Sequence, residues 1–103
     1  MNSPLSKTSV LAVSPNQVSA DLSTDSSGAV VILGLRDGMY FELSEVGARI
    51  WQLIQQPRSV QAIVATLLDE YDVPAEQCES DVLDLAREML ERDLVVIVDE
   101  PAS

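Results

Sequence analysis

Few side chains in this sequence could do covalent or acid–base chemistry. The 103 residues include no histidine, which removes histidine-based triads, metal sites and general bases. The one cysteine, Cys78, can form no intrachain disulfide. It falls on an apolar helical stripe, where a free cysteine acts as a small hydrophobe. No Cys or His cluster has the spacing of zinc ligands. Gly28, Gly34, Gly38 and Gly47 make no phosphate-cradling pattern. Asp69, Glu70 and Asp72 lack calcium-loop spacing and read as a solvated helix end. Asp81, Asp84 and Glu88 recur at helical spacing, as an exposed helix face does, rather than as an acid/base pair. The expectation is a protein with no catalytic residue, no metal and no cofactor.

What remains is a stretch suited to backbone recognition, Asp37 to Trp51. Asp37-Gly38 is a hairpin-turn signal, because glycine reaches positive φ without steric cost. Met39–Leu43 is short and alternating, with Met39, Phe41 and Leu43 on one face and Tyr40 and Glu42 on the other. One aromatic ring of the Tyr40-Phe41 pair then anchors the core and the other covers the outer face. Ser44 is placed to cap the helix that follows, whose stripe is Val46, Ile50, Trp51 and Ile54. A strand that runs directly into a helix cap lies beside helices, and its free edge is where the sequence puts function.

The rest of the chain positions that edge. Residues 1–16 are rich in Ser, Asn and Pro, and the first 14 read as a flexible arm. The domain is expected over 15–98, with a frayed end over 99–103. Gln17–Ser23 alternates weakly, with Val18, Ala20 and Leu22 on one side, as a first strand would. The cluster 24–28 is a turn, and β-branched Ala29–Leu35 is the central strand. The three strands form an antiparallel meander, which leaves Met39–Leu43 a sheet edge. A first helix spans about Glu45–Gln55 and ends before Pro57. Ser59 caps a second that reaches about Glu70 and carries Ile63, Val64, Leu67 and Leu68, with Tyr71 one turn on. After Pro74 a third spans about Ala75–Arg92, with Glu76 and Glu79 near its positive end and a stripe of Cys78, Val82, Leu85, Ala86, Met89 and Leu90. Leu94–Val98 is a final strand or extended tail. The order suits an α+β, winged helix-turn-helix-like fold, with its three-stranded antiparallel sheet at the N-terminal side packed on three helices.

Seventeen acidic residues against six basic ones give a net charge of −11. Nucleic-acid affinity rests on neutralising phosphates with Lys and Arg, so that class of partner is disfavoured, as are anionic membranes. Arg49, Arg87 and Arg92 do not make a basic recognition helix, which counts against a winged-helix regulator. No apolar run approaches a membrane span, and the N-terminal residues offer too little for a secretory signal. A cytoplasmic location is the default. An acidic structural subunit without ligand is a further reading of the charge alone.

The ordered set Gly28-Ala-Val-Val-Ile-Leu, Asp37-Gly-Met-Tyr-Phe-Glu-Leu-Ser-Glu-Val-Gly-Ala-Arg-Ile-Trp51, Ile63-Val64, Leu67-Leu68, Tyr71, Asp81-Val82, Leu85, Met89 and Asp93-Leu-Val95 resembles the PqqD-like family of RiPP recognition elements. These small domains bind leader peptides of ribosomally made, post-translationally modified peptides. The resemblance runs from about Pro15 to Val98 and is closest to the stand-alone leader-binding proteins of lasso-peptide clusters. Ser44 stands where Asn is frequent, and Asp93 where Gly is frequent. The resemblance implies a non-catalytic module to which a leader peptide adds as a further strand along Met39, Tyr40, Phe41, Glu42 and Leu43. The groove wall on the third helix would come from Asp81, Val82, Leu85, Glu88 and Met89. It also implies a transglutaminase-like leader peptidase and an ATP-dependent macrocyclase as partners, or, alternatively, another modifying enzyme such as a radical SAM enzyme.

Overall fold

The computed structural model describes residues 5–22 and 29–98. The turn cluster 24–28, the end 99–103 and the first four residues of the expected arm lie outside these. The elements in chain order are β1 (Val10–Val13), β2 (Gln17–Leu22), β3 (Ala29–Gly34), β4 (Tyr40–Ser44), α1 (Val46–Leu53), β5 (Arg58–Ser59), α2 (Val60–Glu70), α3 (Ala75–Glu91) and β6 (Val95–Val98).

The meander β2-β3-β4 forms as the alternation implies, with Ile32 opposite Phe41 and Ser19, and Leu33 opposite Tyr40 and Val18. Residues directly opposite share a face. The inner face therefore carries Ile32, Val30 and Leu43, all buried, and the outer face carries Val18 and Tyr40, both exposed. Ser19 is a polar residue of the inner face, and its Oγ accepts a 3.2 Å hydrogen bond from Trp51 Nε1 of α1. That bond satisfies the indole N–H in the core and ties β2 to the first helix. The turn joining β3 to β4 is closed by Gly38 at φ 69, and Asp37 Oδ1 accepts from the Met39 N–H at 3.0 Å.

Three expectations need correction. The expected N-terminal arm is not loose over its described residues 10–13. Val10–Val13 is a strand at the centre of a second sheet, β5-β1-β6, with Leu11 fully buried. Its partners come from positions 58–59 and 95–98, so no local pattern announces it. The helix cap is not Ser44, which ends β4. Glu45 occupies the cap position at φ 54 and ψ −119, with no side-chain hydrogen bond to the helix. That backbone region favours glycine and is strained for glutamate. Met39 lies in the turn just before β4 rather than in it.

Elsewhere the caps are as read. Ser59 Oγ accepts from the Ala62 N–H at 3.1 Å. α3 ends at a left-handed Asp93 with φ 60, a conformation glycine would adopt freely. Here the aspartate side chain has its own work. Its two oxygens accept from Ser14 Oγ at 3.3 Å and Asn16 Nδ2 at 2.9 Å. The end of α3 is thus fastened to the β1–β2 connection. The inner stripes of the three helices meet the two sheets in one core, built on Trp51, Ile54, Ile63, Leu67, Val82 and Met89.

Candidate peptide-binding edge

Among the described residues β4 pairs only with β3, so one side of it is open. Which backbone groups face the opening follows from register. The Gly34 N–H donates to the Met39 carbonyl at 2.9 Å, which makes Gly34–Met39 a hydrogen-bonded pair. Such pairs alternate along an antiparallel ladder, so Ile32–Phe41 and Val30–Leu43 are hydrogen-bonded too. The N–H and C=O groups of Phe41 and Leu43 therefore point at β3. Those of Tyr40 and Glu42 point outward, unpaired and spaced to receive another strand. Leu35 N–H donating to Asn16 C=O at 3.0 Å sets the complementary phase on the β2 side of β3.

The side chains divide the other way. Tyr40 and Glu42 stand on the outer sheet face, with Tyr40 72% exposed. Phe41 is half-buried on the inner face, and the Arg92 guanidinium carbon lies 5.4 Å from its ring centroid. Leu43 is core, and it sits so close to α1 that a Cβ on Gly47 would lie 3.2 Å from its Cδ2. The absence of a side chain at Gly47 is what lets the helix follow the strand at this distance.

An apolar cavity of about 210 Å³ opens beyond this end of β4. It is lined by Val46, Gly47 and Ile50 of α1, Leu67 of α2, and Val82 and Leu85 of α3, with Tyr71, Val73, Cys78 and Asp81 also on its wall. Of the third-helix residues named from sequence, Asp81, Val82 and Leu85 come together here. Leu85 is half-buried, and Asp81 is exposed, its Oδ1 accepting from Gln77 Nε2 at 2.9 Å. Glu88 is exposed beside Arg92, at 3.9 Å. Met89 is fully buried in the core, and Val82 and Leu43 nearly so, so these side chains back the groove and offer little surface to a ligand. The contribution of α1 was missed. Its signal was the pair Val46 and Ile50, four residues apart on a short helix, which the stripe alone assigns to the core.

Burial first, and the Asp81 carboxylate second, push the Cys78 thiol up from its ordinary range, so it stays protonated and poorly nucleophilic. No group of His, Cys, Asp or Glu among the described residues could hold a metal ion. No described helix is long and apolar enough to cross a membrane. Arg49 of α1 pairs two-pronged with Glu70 at the end of α2, Nε to Oε1 at 2.9 Å and Nη2 to Oε2 at 2.7 Å. This hydrogen-bonded pairing raises the Arg49 guanidinium and lowers the Glu70 carboxyl from their ordinary ranges. It pins together two of the three helices that line the cavity.

The family model of coenzyme PQQ synthesis protein D, PqqD, matches residues 29–95. A comparison with curated protein sequences returned no match. Among solved structures the fold is similar to TbiB1 in complex with the TbiA(beta) leader peptide, at 31% identity and a TM-score of 0.73, covering 86% of this chain and 99% of that one. It is also similar to a lasso peptide synthetase B1 complexed with the leader peptide, at 24% identity and a TM-score of 0.70 over 84% and 96% of the two chains. The PqqD truncation of Methylobacterium extorquens PqqCD, a stand-alone RiPP recognition element, shares the fold at 16% identity, with a TM-score of 0.70 over 90% and 95%. With the family model spanning well over half its length, including the whole of β3, β4 and the three helices, this chain belongs to the PqqD family.

Proposed function

We propose that this chain is a non-catalytic recognition element that binds the leader peptide of a lasso-peptide precursor along the open edge of β4. The observation that carries the reading is TbiB1, which aligns over nearly its whole length and is itself a leader-peptide complex. The edge described above supports it, since β-strand addition needs outward N–H and C=O groups beside pockets that take alternate side chains. Tyr40 and Glu42 supply the former, and the cavity beside Leu85 supplies an apolar pocket.

In this reading the leader is held rather than altered, and a separate enzyme acts on it. A leader peptidase of transglutaminase-like fold is the first partner, with an ATP-dependent macrocyclase downstream. The exposed outer sheet face around Val18, Leu33 and Tyr40 adjoins the bound strand and is available to such an enzyme. A second reading, service to a cofactor-maturing or radical SAM enzyme, has behind it the description of the family model. The 31% identity to TbiB1 favours the first.

The test is titration of the ¹⁵N-labelled chain with the leader segment of a lasso-peptide precursor found in its own gene neighbourhood. Shifts should concentrate on β4, α1 and the middle of α3, and the precursor's mass should be unchanged after incubation. Absence of binding, shifts confined to β2 or β6, or cleavage by rigorously peptidase-free protein would overturn the proposal.

A further inference from the structure

The opposite end of the β4–α3 groove closes on a polar recess of about 220 Å³, lined by Arg36 and Asp37 of the β3–β4 turn and by Glu91 and Arg92 where α3 ends. The chain has only six basic residues against 17 acidic ones, and two of the six meet here. Arg92 reaches from α3 to the inner face of β4, over Phe41. Neither guanidinium is engaged at close range by its nearest carboxylate. Arg36 Nη1 is 3.7 Å from Asp93 Oδ2, and Arg92 Nε is 3.9 Å from Glu88 Oε2. Both distances exceed hydrogen-bond length, and exposed pairs of this kind contribute little. Asp93 has Ser14 and Asn16 as its donors, and Asp37 Oδ1 is held by the Met39 N–H. The arginine N–H groups are therefore available to an incoming acceptor.

We propose that Arg36 and Arg92 together receive a carboxylate of the guest peptide and so fix its direction and register on β4. This rests on the β4–α3 reading above and adds to it a chemical requirement on the ligand. The recess holds two carboxylates of its own, Asp37 and Glu91, against the two guanidiniums, whereas along the rest of the groove Asp81 and Glu88 on α3 only repel a carboxylate. In a chain of net charge −11, an acidic side chain of the guest meets unengaged guanidinium N–H donors at this one end of the groove and finds none along the rest. An attractive site combined with repulsion elsewhere discriminates better than either alone, and the planar arginine fork suits a carboxylate.

The spacing follows from both walls. Tyr40 to Ser44 spans roughly 13 Å of extended chain at ~3.3 Å per residue. Val82 to Arg92 spans about 15 Å of helix at ~1.5 Å per residue. An extended guest covers either distance with about four to five residues. The ligand is therefore an extended peptide with Asp or Glu about four to five residues from the apolar side chain that enters the cavity.

The test pans a displayed library of random dodecapeptides against the full chain. Enriched peptides should carry Asp or Glu at that spacing from a large apolar residue. In a selected peptide, replacing the acid by its amide should weaken binding about tenfold on the native chain and leave it unchanged on an Arg36→Gln/Arg92→Gln chain. Circular dichroism checks the fold of that variant, and the two single variants carry the same cycle if the double one unfolds. An Arg36→Glu/Arg92→Glu chain should select Lys or Arg at the same position. Enriched peptides that lose binding on a Leu85→Glu chain but show no acidic preference, or an amide change that costs the same on both chains, would remove the arginine clamp and leave the β4–α3 site standing. No enrichment, or peptides that bind the Leu85→Glu chain undiminished, would overturn that site and the clamp with it.

Discussion

Proline at adjacent positions of β4 separates a strand that is an open docking edge from one that only completes a sheet. The register makes the two cases opposite. The Glu42 N–H points outward and has no partner in the sheet, and the Glu42 side chain is exposed. Glu42→Pro then removes no ladder bond, and proline is tolerated on edge strands. The folding cost should stay near ~1 kcal/mol, from the restricted φ. In a complex the same change removes a donor from the guest strand, a net loss of about 0.5–1.5 kcal/mol, and leaves a desolvated carbonyl unpaired, about 1–3 kcal/mol more. A total of about 2–4 kcal/mol corresponds to roughly thirty- to a thousandfold weaker leader binding. Phe41→Pro is the converse. Its N–H faces Ile32 in the buried ladder, and its ring is half-buried. The lost bond, the orphaned carbonyl and the lost ring together cost about 3–5 kcal/mol, a large part of the ~5–15 kcal/mol that holds a small domain folded. Fluorescence anisotropy with labelled leader and a thermal melt on each variant read both quantities. A folded Glu42→Pro protein that binds leader as the native chain does would refute the outward edge, and a Phe41→Pro protein as stable as the native one would refute the register.

Four further changes report on the structure around that edge. Leu85→Glu, at a half-buried position on the cavity wall, should weaken leader binding by roughly 1–3 kcal/mol while circular dichroism stays native, an estimate from one lost apolar contact. Leu11→Ala should cost about 2–5 kcal/mol in urea unfolding, whereas a flexible arm would give no change. Glu45→Gly relieves the positive φ at the head of α1 and should stabilise by about 1 kcal/mol, or roughly 4–8 °C in Tm for a domain of this size, net of the added freedom of glycine in the unfolded chain. Because Arg49 depresses the Glu70 carboxyl, that pair's contribution is present above the unfolded carboxylate pKa and is lost as pH falls through the lower folded value. Melts of the native chain and Glu70→Gln should therefore differ at neutral pH and converge in acid, and a difference that persists in acid would show that packing, not charge, is responsible.

The parts of the molecule legible in sequence are those specified by neighbours along the chain. Asp37-Gly38 declares its turn because glycine takes φ 69 there. Ser59 declares its cap because the hydroxyl needs only the amide of Ala62, three residues on. The alternation of Phe41 and Leu43 against Tyr40 and Glu42 is visible because its period is two, and the structure keeps both faces as read. β1 was invisible for the opposite reason. Four apolar residues set among Ser, Asn and Pro acquire a partner only when Val95–Val98 arrives from the far end of the chain. Ser44 looked like a cap because its type suits one, yet the ladder with Ala29 holds it in the strand and moves the cap to Glu45. At the site, the edge was legible and the pockets were not. The cavity needs α1, α2 and α3 to converge, and the arginine recess needs the end of α3 to meet a turn about 55 residues earlier.

An open edge strand is also a liability, since it can pair with a copy of itself as readily as with a guest. The charges on β4 bear on that choice. Antiparallel pairing of two β4 edges centred on Glu42, one of the two outward-bonding residues, sets Glu42 against Glu42, and like charges directly opposite destabilise a strand pair. The overall −11 opposes the same encounter at longer range. A leader that brings an apolar side chain to the cavity and a carboxylate to Arg36 and Arg92 avoids the Glu42–Glu42 contact. The acidity that argues against nucleic acid as a partner thus also protects the edge from self-association. It makes the two arginines at the end of the groove the place where a peptide's negative charge is accepted.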